Sequence, residues 1–105
     1  MEFIRIANFL SIKADPKKVL EKLIYLDNHI DFYEDRNYRL KKIEQIDKKY
    51  IVQFEFYNEK ESCTFEVHIE ENKSRTERID IIIFREKGND VDIHNGIEPI
   101  EEAIE

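Results

Sequence analysis

The sequence predicts an α+β fold, in which an antiparallel sheet of about five strands carries one main helix on one face and a short C-terminal helix. Apolar and polar residues alternate along several short stretches, which is the period of a strand. After Asp15-Pro16 the apolar residues recur at the spacing of a helix instead. We expect residues 1–87 to form a single domain. Residues 88–105 are expected to be an acidic extension, either a short docked helix or a mobile tail.

The first strand and the helix are predicted at the start of the chain. Residues 3 to 12 alternate as a strand does, with apolar side chains on both faces. A helix from Pro16 to about Asp27 follows. Asp15 can accept hydrogen bonds from its first turn, where Pro16 lacks an amide hydrogen that would be unpaired there anyway. The apolar face of this helix consists of Val19, Leu23, Leu26 and Ile30.

Four further strands are predicted after a loop over residues 28 to 37. Residues 38 to 47 fit a helical spacing as well as a bulged strand. We favour the strand, because Asp47-Lys48-Lys49 is typical of a hairpin turn. The strands that follow are expected at Tyr50 to Phe56, Cys63 to Glu70 and Ile79 to Phe84. A short terminal helix is predicted from Pro99.

The element order β-α-β-β-β-β resembles a reduced helix-grip layout, as in START or Bet v 1-like proteins. The entry into the helix at Ala14-Asp15-Pro16, directly after the first strand, belongs to that resemblance. The resemblance implies an apolar ligand cavity. It therefore provides an alternative function, a carrier that holds a small hydrophobic ligand between helix and sheet. The cavity would be lined by Leu23, Phe54, Phe65 and Ile81.

The last strand is apolar on both faces. Its odd-numbered isoleucines point one way, while Ile82 and Phe84 point the other, so one core cannot cover both sets. A meander that closes on its first strand would place Phe3 and Phe9 beside Ile82 and Phe84. Exposed apolar patches of this kind mark interfaces. We therefore expect these four residues to form a dimer or partner interface.

Charge is uneven along the chain. Residues 1–57 contain 11 Lys and Arg against 10 Asp and Glu, whereas residues 58–105 contain 6 against 14. The acidic C-terminal half favours a basic protein partner over nucleic acid. The density of Lys and Glu is also typical of heat-adapted proteins.

One basic cluster offers a third function, weak binding of single-stranded nucleic acid. It consists of Arg36, Arg39, Lys41 and Lys42, with tyrosines nearby that could stack on bases. Acidic residues adjoin this cluster and reduce its net positive charge, so we do not expect a nucleic-acid partner.

No catalytic residue, cofactor or metal is expected. His68 lies between Glu66 and Glu70 and is expected to be a solvated histidine. Cys63 lies on an apolar strand face, where burial makes a thiol inert. The segment Asp90 to Glu101 matches a calcium loop in part, but His94 replaces an oxygen ligand.

The predicted function is therefore that of a small non-catalytic binding or regulatory protein. We expect it to self-associate and to contact a basic protein through an acidic surface, as an inhibitor or accessory factor does. With a lone cysteine, no basic apolar leader and no long apolar run, it is expected to be cytoplasmic and to have no membrane contact.

Overall fold

The structure is a computed structural model that describes residues 2–24, 37–57, 62–75 and 77–87. Within these ranges the elements are, in order, β1 (Phe3–Ile12), α1 (Pro16–Ile24), β2 (Asn37–Ile46), β3 (Lys49–Tyr57), β4 (Ser62–Glu71) and β5 (Ile79–Glu86). The strands form one antiparallel sheet in the order β1-β5-β4-β3-β2. The prediction of a five-stranded antiparallel sheet with one helix is confirmed. The predicted extension over 88–105 and its helix lie outside the described residues.

The helix begins where the sequence predicts. The backbone N–H of Lys17 donates to Oδ1 of Asp15 at 3.0 Å, and those of Lys18 and Val19 donate to its carbonyl oxygen at 3.0 and 3.2 Å. These bonds satisfy first-turn donors that no helical carbonyl can reach. The described helix ends at Ile24, and residues 25–27 of the predicted helix lie outside the described part of the chain.

The hydrophobic core lies between α1 and one face of the sheet. Val19 and Leu23 of the helix are buried and pack over β3 and β4. The sheet residues of this core are Val52, Phe54, Phe56, Cys63, Phe65, Val67, Ile69, Ile79, Ile81 and Ile83. The opposite face carries no helix within the described ranges, and we call it the helix-free face.

Strand β1 pairs with β5, as the closed meander predicts, but β-bulges shift the register. Phe3 pairs with Glu86, whose neighbours on the same face of β5 are Ile82 and Phe84. A shift between Arg5 and Ala7 follows, after which Phe9 pairs with the core residue Ile81. Because a bulge inserts one residue, it changes which residues oppose the partner strand. The side chain of Phe9 lies outside the described part.

Residues 37 to 46 form a strand rather than a helix. β2 pairs with β3 along its length, with a register shift between Leu40 and Lys42. The turn after it contains Asp47 at a φ of 54°. Aspartate tolerates this left-handed conformation better than most residues, which explains the tight connection to β3.

Candidate functional site

The helix-free face of the sheet is the candidate functional surface. Ile82 and Phe84 both lie on it and are half-buried, as is Phe3 at the start of β1. A half-buried phenylalanine on a face without a second described layer leaves apolar surface in contact with water. Three of the four predicted interface residues therefore lie on one face, and the fourth, Phe9, has an undescribed side chain.

A polar network occupies the centre of this face. Nε2 of Gln53 donates to Oε2 of Glu66 at 2.9 Å, and Oε1 of Glu66 lies 2.5 Å from Nε2 of His68. The side chains of Glu66 and His68 are only 15% and 13% exposed. Both carboxylate oxygens are thus engaged, which fixes the orientation of all three side chains.

The network and the apolar residues form one continuous surface. The ring centroids of His68 and Phe84 are 4.5 Å apart with the planes tilted by 42°. Phe84 also lies directly opposite Glu66 in the register. The expectation of a solvated histidine is therefore wrong, because Phe84 covers the imidazole on one side and Glu66 binds its edge. Glu70, the other flanking carboxylate, contacts Lys49 at 3.7 Å.

The predicted basic cluster is assembled on the same face by a bulge. Arg39 and Lys41 both contact the carboxylate of Glu55, at 2.5 and 3.9 Å. Lys42 contacts Glu44 at 3.6 Å. Two successive lysines can share a face with Arg39 only because the register shifts between Leu40 and Lys42. Each cation is paired with a carboxylate, which weakens the case for phosphate binding. Arg36 lies outside the described residues.

The described fold is basic, although the whole chain is acidic. Its described residues contain 15 Lys and Arg against 12 Asp and Glu, a net charge of +3. The whole chain carries −7. Residues 88–105 contain six Asp and Glu and no Lys or Arg. The acidity assigned to the C-terminal half is therefore concentrated in that segment.

Cys63 lies on the other side of the sheet, within the core. Its side chain is buried, and that burial raises the pKa of the thiol. A thiol with a raised pKa forms little thiolate at neutral pH, so Cys63 is a poor nucleophile.

The described part of the chain contains neither a cluster of metal-ligating side chains nor a membrane-spanning helix. There, no group of three or more His, Cys, Asp or Glu side chains is arranged to hold a metal ion. Among the same residues, no helix is long and apolar enough to cross a membrane. The partial calcium loop at Asp90 to Glu101 is not described.

The comparisons with known proteins found no matching family model, no matching curated protein and no matching solved structure. The function is therefore inferred from the geometry of this chain.

The residues that the carrier hypothesis places around a ligand belong to the packed core. Leu23, Phe54, Phe65 and Ile81 are 0–1% exposed and share one cluster. A cavity of about 250 Å³ lies elsewhere, where α1 begins beside the connection between β4 and β5. Its lining contains two carboxylates and two guanidinium groups, a mixture that does not suit an apolar ligand.

Sequence reasoning missed Gln53 as a member of the central network. The pairing of β3 with β4 could have indicated this role, because its register places Gln53 directly opposite Glu66. An amide opposite a carboxylate on one face is a cross-strand pair, and such pairs stabilise sheets.

Proposed function

We propose that this chain is a small non-catalytic binding or regulatory protein that self-associates through its helix-free face. The observation that carries this proposal is the arrangement of Phe84 on the ordered network of Glu66 and His68. Aromatic side chains beside hydrogen-bonded polar groups are typical of protein interfaces. The half-buried state of Ile82 and Phe84 leaves apolar surface that a second molecule would remove from water.

A binding role is supported over a catalytic one by the local chemistry. The carboxylate of Glu66 is held by Gln53 and His68, and the imidazole is covered by Phe84. These contacts leave the pair poorly placed to reach a substrate proton, which a general base must do within hydrogen-bond distance.

A second protein partner with a basic surface belongs to the same proposal. The six carboxylates in residues 88–105 supply the acidic character, while the described fold has a net charge of +3. An acidic segment attracts basic proteins at long range and raises their association rate. We place this activity in the cytoplasm, because a lone cysteine is typical of reducing compartments.

Sedimentation equilibrium tests the self-association. Protein concentrations of about 5 to 100 μM suit a dissociation constant in the micromolar range. We expect the wild type to dimerise and Phe84→Ser to remain a monomer, because serine removes the aromatic contact. Ile43→Ser is the matched control, since Ile43 is 42% exposed but pairs with the core residue Val52. A wild type that stays monomeric over the whole range contradicts the proposal.

A further inference from the structure

The charges on the helix-free face of β2 to β5 are divided between two halves, while β1, beyond β5, adds Arg5 opposite Phe84. On β2 and β3 the cations outnumber the carboxylates, with Arg39, Lys41, Lys42 and Lys49 against Glu44 and Glu55. On β4 and β5 the same face contains no Lys or Arg among its described residues. Its carboxylates there are Glu66, Glu70, Asp80 and Glu86.

The register arranges these residues in rows across the sheet, because directly opposed residues share a face. The first row contains Ile46, Lys49, Glu70 and Asp80; the second, Glu44, Ile51, His68 and Ile82; the third, Lys42, Gln53, Glu66 and Phe84; the fourth, Arg39, Glu55, Thr64 and Glu86. The two outer rows are mostly charged. The two middle rows contain Ile51, Ile82 and Phe84, so the centre of the face is apolar, as in interfaces. Two further apolar side chains lie at the ends of the outer rows, Ile46 on β2 and Phe3 on β1.

We infer that two copies pack face to face about a two-fold axis that runs parallel to the strands, between β3 and β4. This inference rests on the proposed self-association and specifies its geometry. Such an axis keeps each row opposite the same row and exchanges the two halves of the sheet. β2 of one copy then faces β5 of the other, and β3 faces β4.

Opposite charges meet in this arrangement. Arg39 faces the partner's Glu86 in the fourth row, and Lys49 faces the partner's Glu70 in the first. In the third row Lys42 faces the partner's Phe84, where an ammonium group over an aromatic ring is favourable. A two-fold axis perpendicular to the strands would instead place β2 on β2 and the first row on the fourth, so that Asp80 would face the partner's Glu86 and Arg39 the partner's Ile46. The parallel axis avoids this contact between like charges and gives both Arg39 and Glu86 a partner of opposite charge.

Pairing between sheet edges is disfavoured by the same residues. β2 is an edge strand, and it carries a bulge together with Arg39, Lys41 and Lys42. Bulges and lysines on an edge strand oppose the addition of another strand. The face is the better interface, although it is small. Four strands at about 4.8 Å spacing and about 25 Å length bury roughly 1,000 Å² in total, near the lower limit for a specific complex. We therefore expect a dissociation constant in the micromolar range.

Charge reversal with exchange tests the geometry. Arg39 and Glu86 are three strands apart, or about 14 Å at the usual strand spacing, so they do not contact each other within one copy. Arg39→Glu or Glu86→Lys alone creates two like-charge contacts in the dimer. We expect each to raise the dissociation constant about tenfold in sedimentation equilibrium. Lys17→Glu on the exposed side of α1 is the control and should change it less than twofold.

Two further samples distinguish geometry from general destabilisation. An equimolar mixture of the two single variants should form a heterodimer of nearly wild-type affinity, because opposite charges meet again at both contacts. The double variant Arg39→Glu/Glu86→Lys should dimerise like the wild type for the same reason. Circular dichroism of thermal unfolding verifies that each variant folds.

The outcomes separate the two proposals. A monomeric wild type overturns both the self-association and this geometry. A wild-type dimer whose affinity is unchanged by either reversal, or is not restored by the mixture and the double variant, overturns the geometry alone.

Discussion

The two faces of this sheet use the same strands in different ways. On the helix-covered face, Phe54 and Phe65 lie next to Leu23 of α1, and all three are 0–1% exposed. On the helix-free face, Phe84 is half-buried and its neighbour is the imidazole of His68. The first face is a closed hydrophobic core. The second combines apolar groups with an ordered polar network, which is the composition of an interface rather than of a second core.

This difference shows that an apolar run in one strand does not by itself determine the environment of each face of that strand. β5 is apolar on both faces, but its neighbour β4 is apolar only on the core side. Glu66 and His68 therefore stand directly opposite Phe84 and Ile82. The environment of a strand face depends on the neighbouring strand as much as on its own sequence.

The largest expected effect comes from the helix-covered face. Phe54→Ala should lower the free energy of unfolding by about 3 to 5 kcal/mol, because it removes a buried ring and leaves a cavity. Urea denaturation followed by circular dichroism measures the change. Tyr57→Ala, in the same strand but 38% exposed, is the control. A loss below about 1 kcal/mol for Phe54→Ala would show that this face is not the core.

A smaller effect on folding is expected from the corresponding change on the other face. Phe84→Ala should lower the free energy of unfolding of the monomer by about 1 to 2 kcal/mol, since part of the ring already contacts water. Denaturation at a protein concentration well below the dissociation constant isolates the monomer. If Phe84→Ala lowers the free energy of unfolding as much as Phe54→Ala does, both faces are closed cores, and the difference between them described above is wrong.

Removal of the central carboxylate should have the smallest effect of the three. Glu66→Ala leaves Gln53 and His68 without their shared acceptor, so we expect a loss of about 1 kcal/mol in the free energy of unfolding. Glu66→Gln retains one acceptor and should lose less. A double-mutant cycle with His68→Ala measures the coupling, and a coupling energy of zero would show that the network does not order this face.

Much of the fold follows from local patterns in the sequence. Asp15-Pro16 marks the start of α1, because capping depends only on adjacent residues. The alternation in β3 and β4 predicts which side chains enter the core, as Phe54 and Val67 do. The β1–β5 pairing follows from a meander that closes on its first strand.

The bulges could not be predicted in the same way. The shift between Arg5 and Ala7 depends on how β1 fits against β5, which is distant in sequence. The shift between Leu40 and Lys42 places Lys42 on the helix-free face with Arg39, and strict alternation would not. The covered state of His68 was missed for a related reason. It requires Phe84, which lies 16 positions further along the chain and becomes a neighbour only through the β4–β5 register.

The central claim is that the helix-free face contacts a second copy of this chain. Isotope-filtered NOE spectroscopy tests it most directly, on an equal mixture of ¹³C-labelled and unlabelled protein at a concentration where the dimer is populated. We predict NOEs between copies for the side chains of Ile51, Ile82 and Phe84, and none for the core residues Val19 and Leu23. Intermolecular NOEs confined to the edge residue Ile43, or their complete absence at Ile82 and Phe84, would contradict the account.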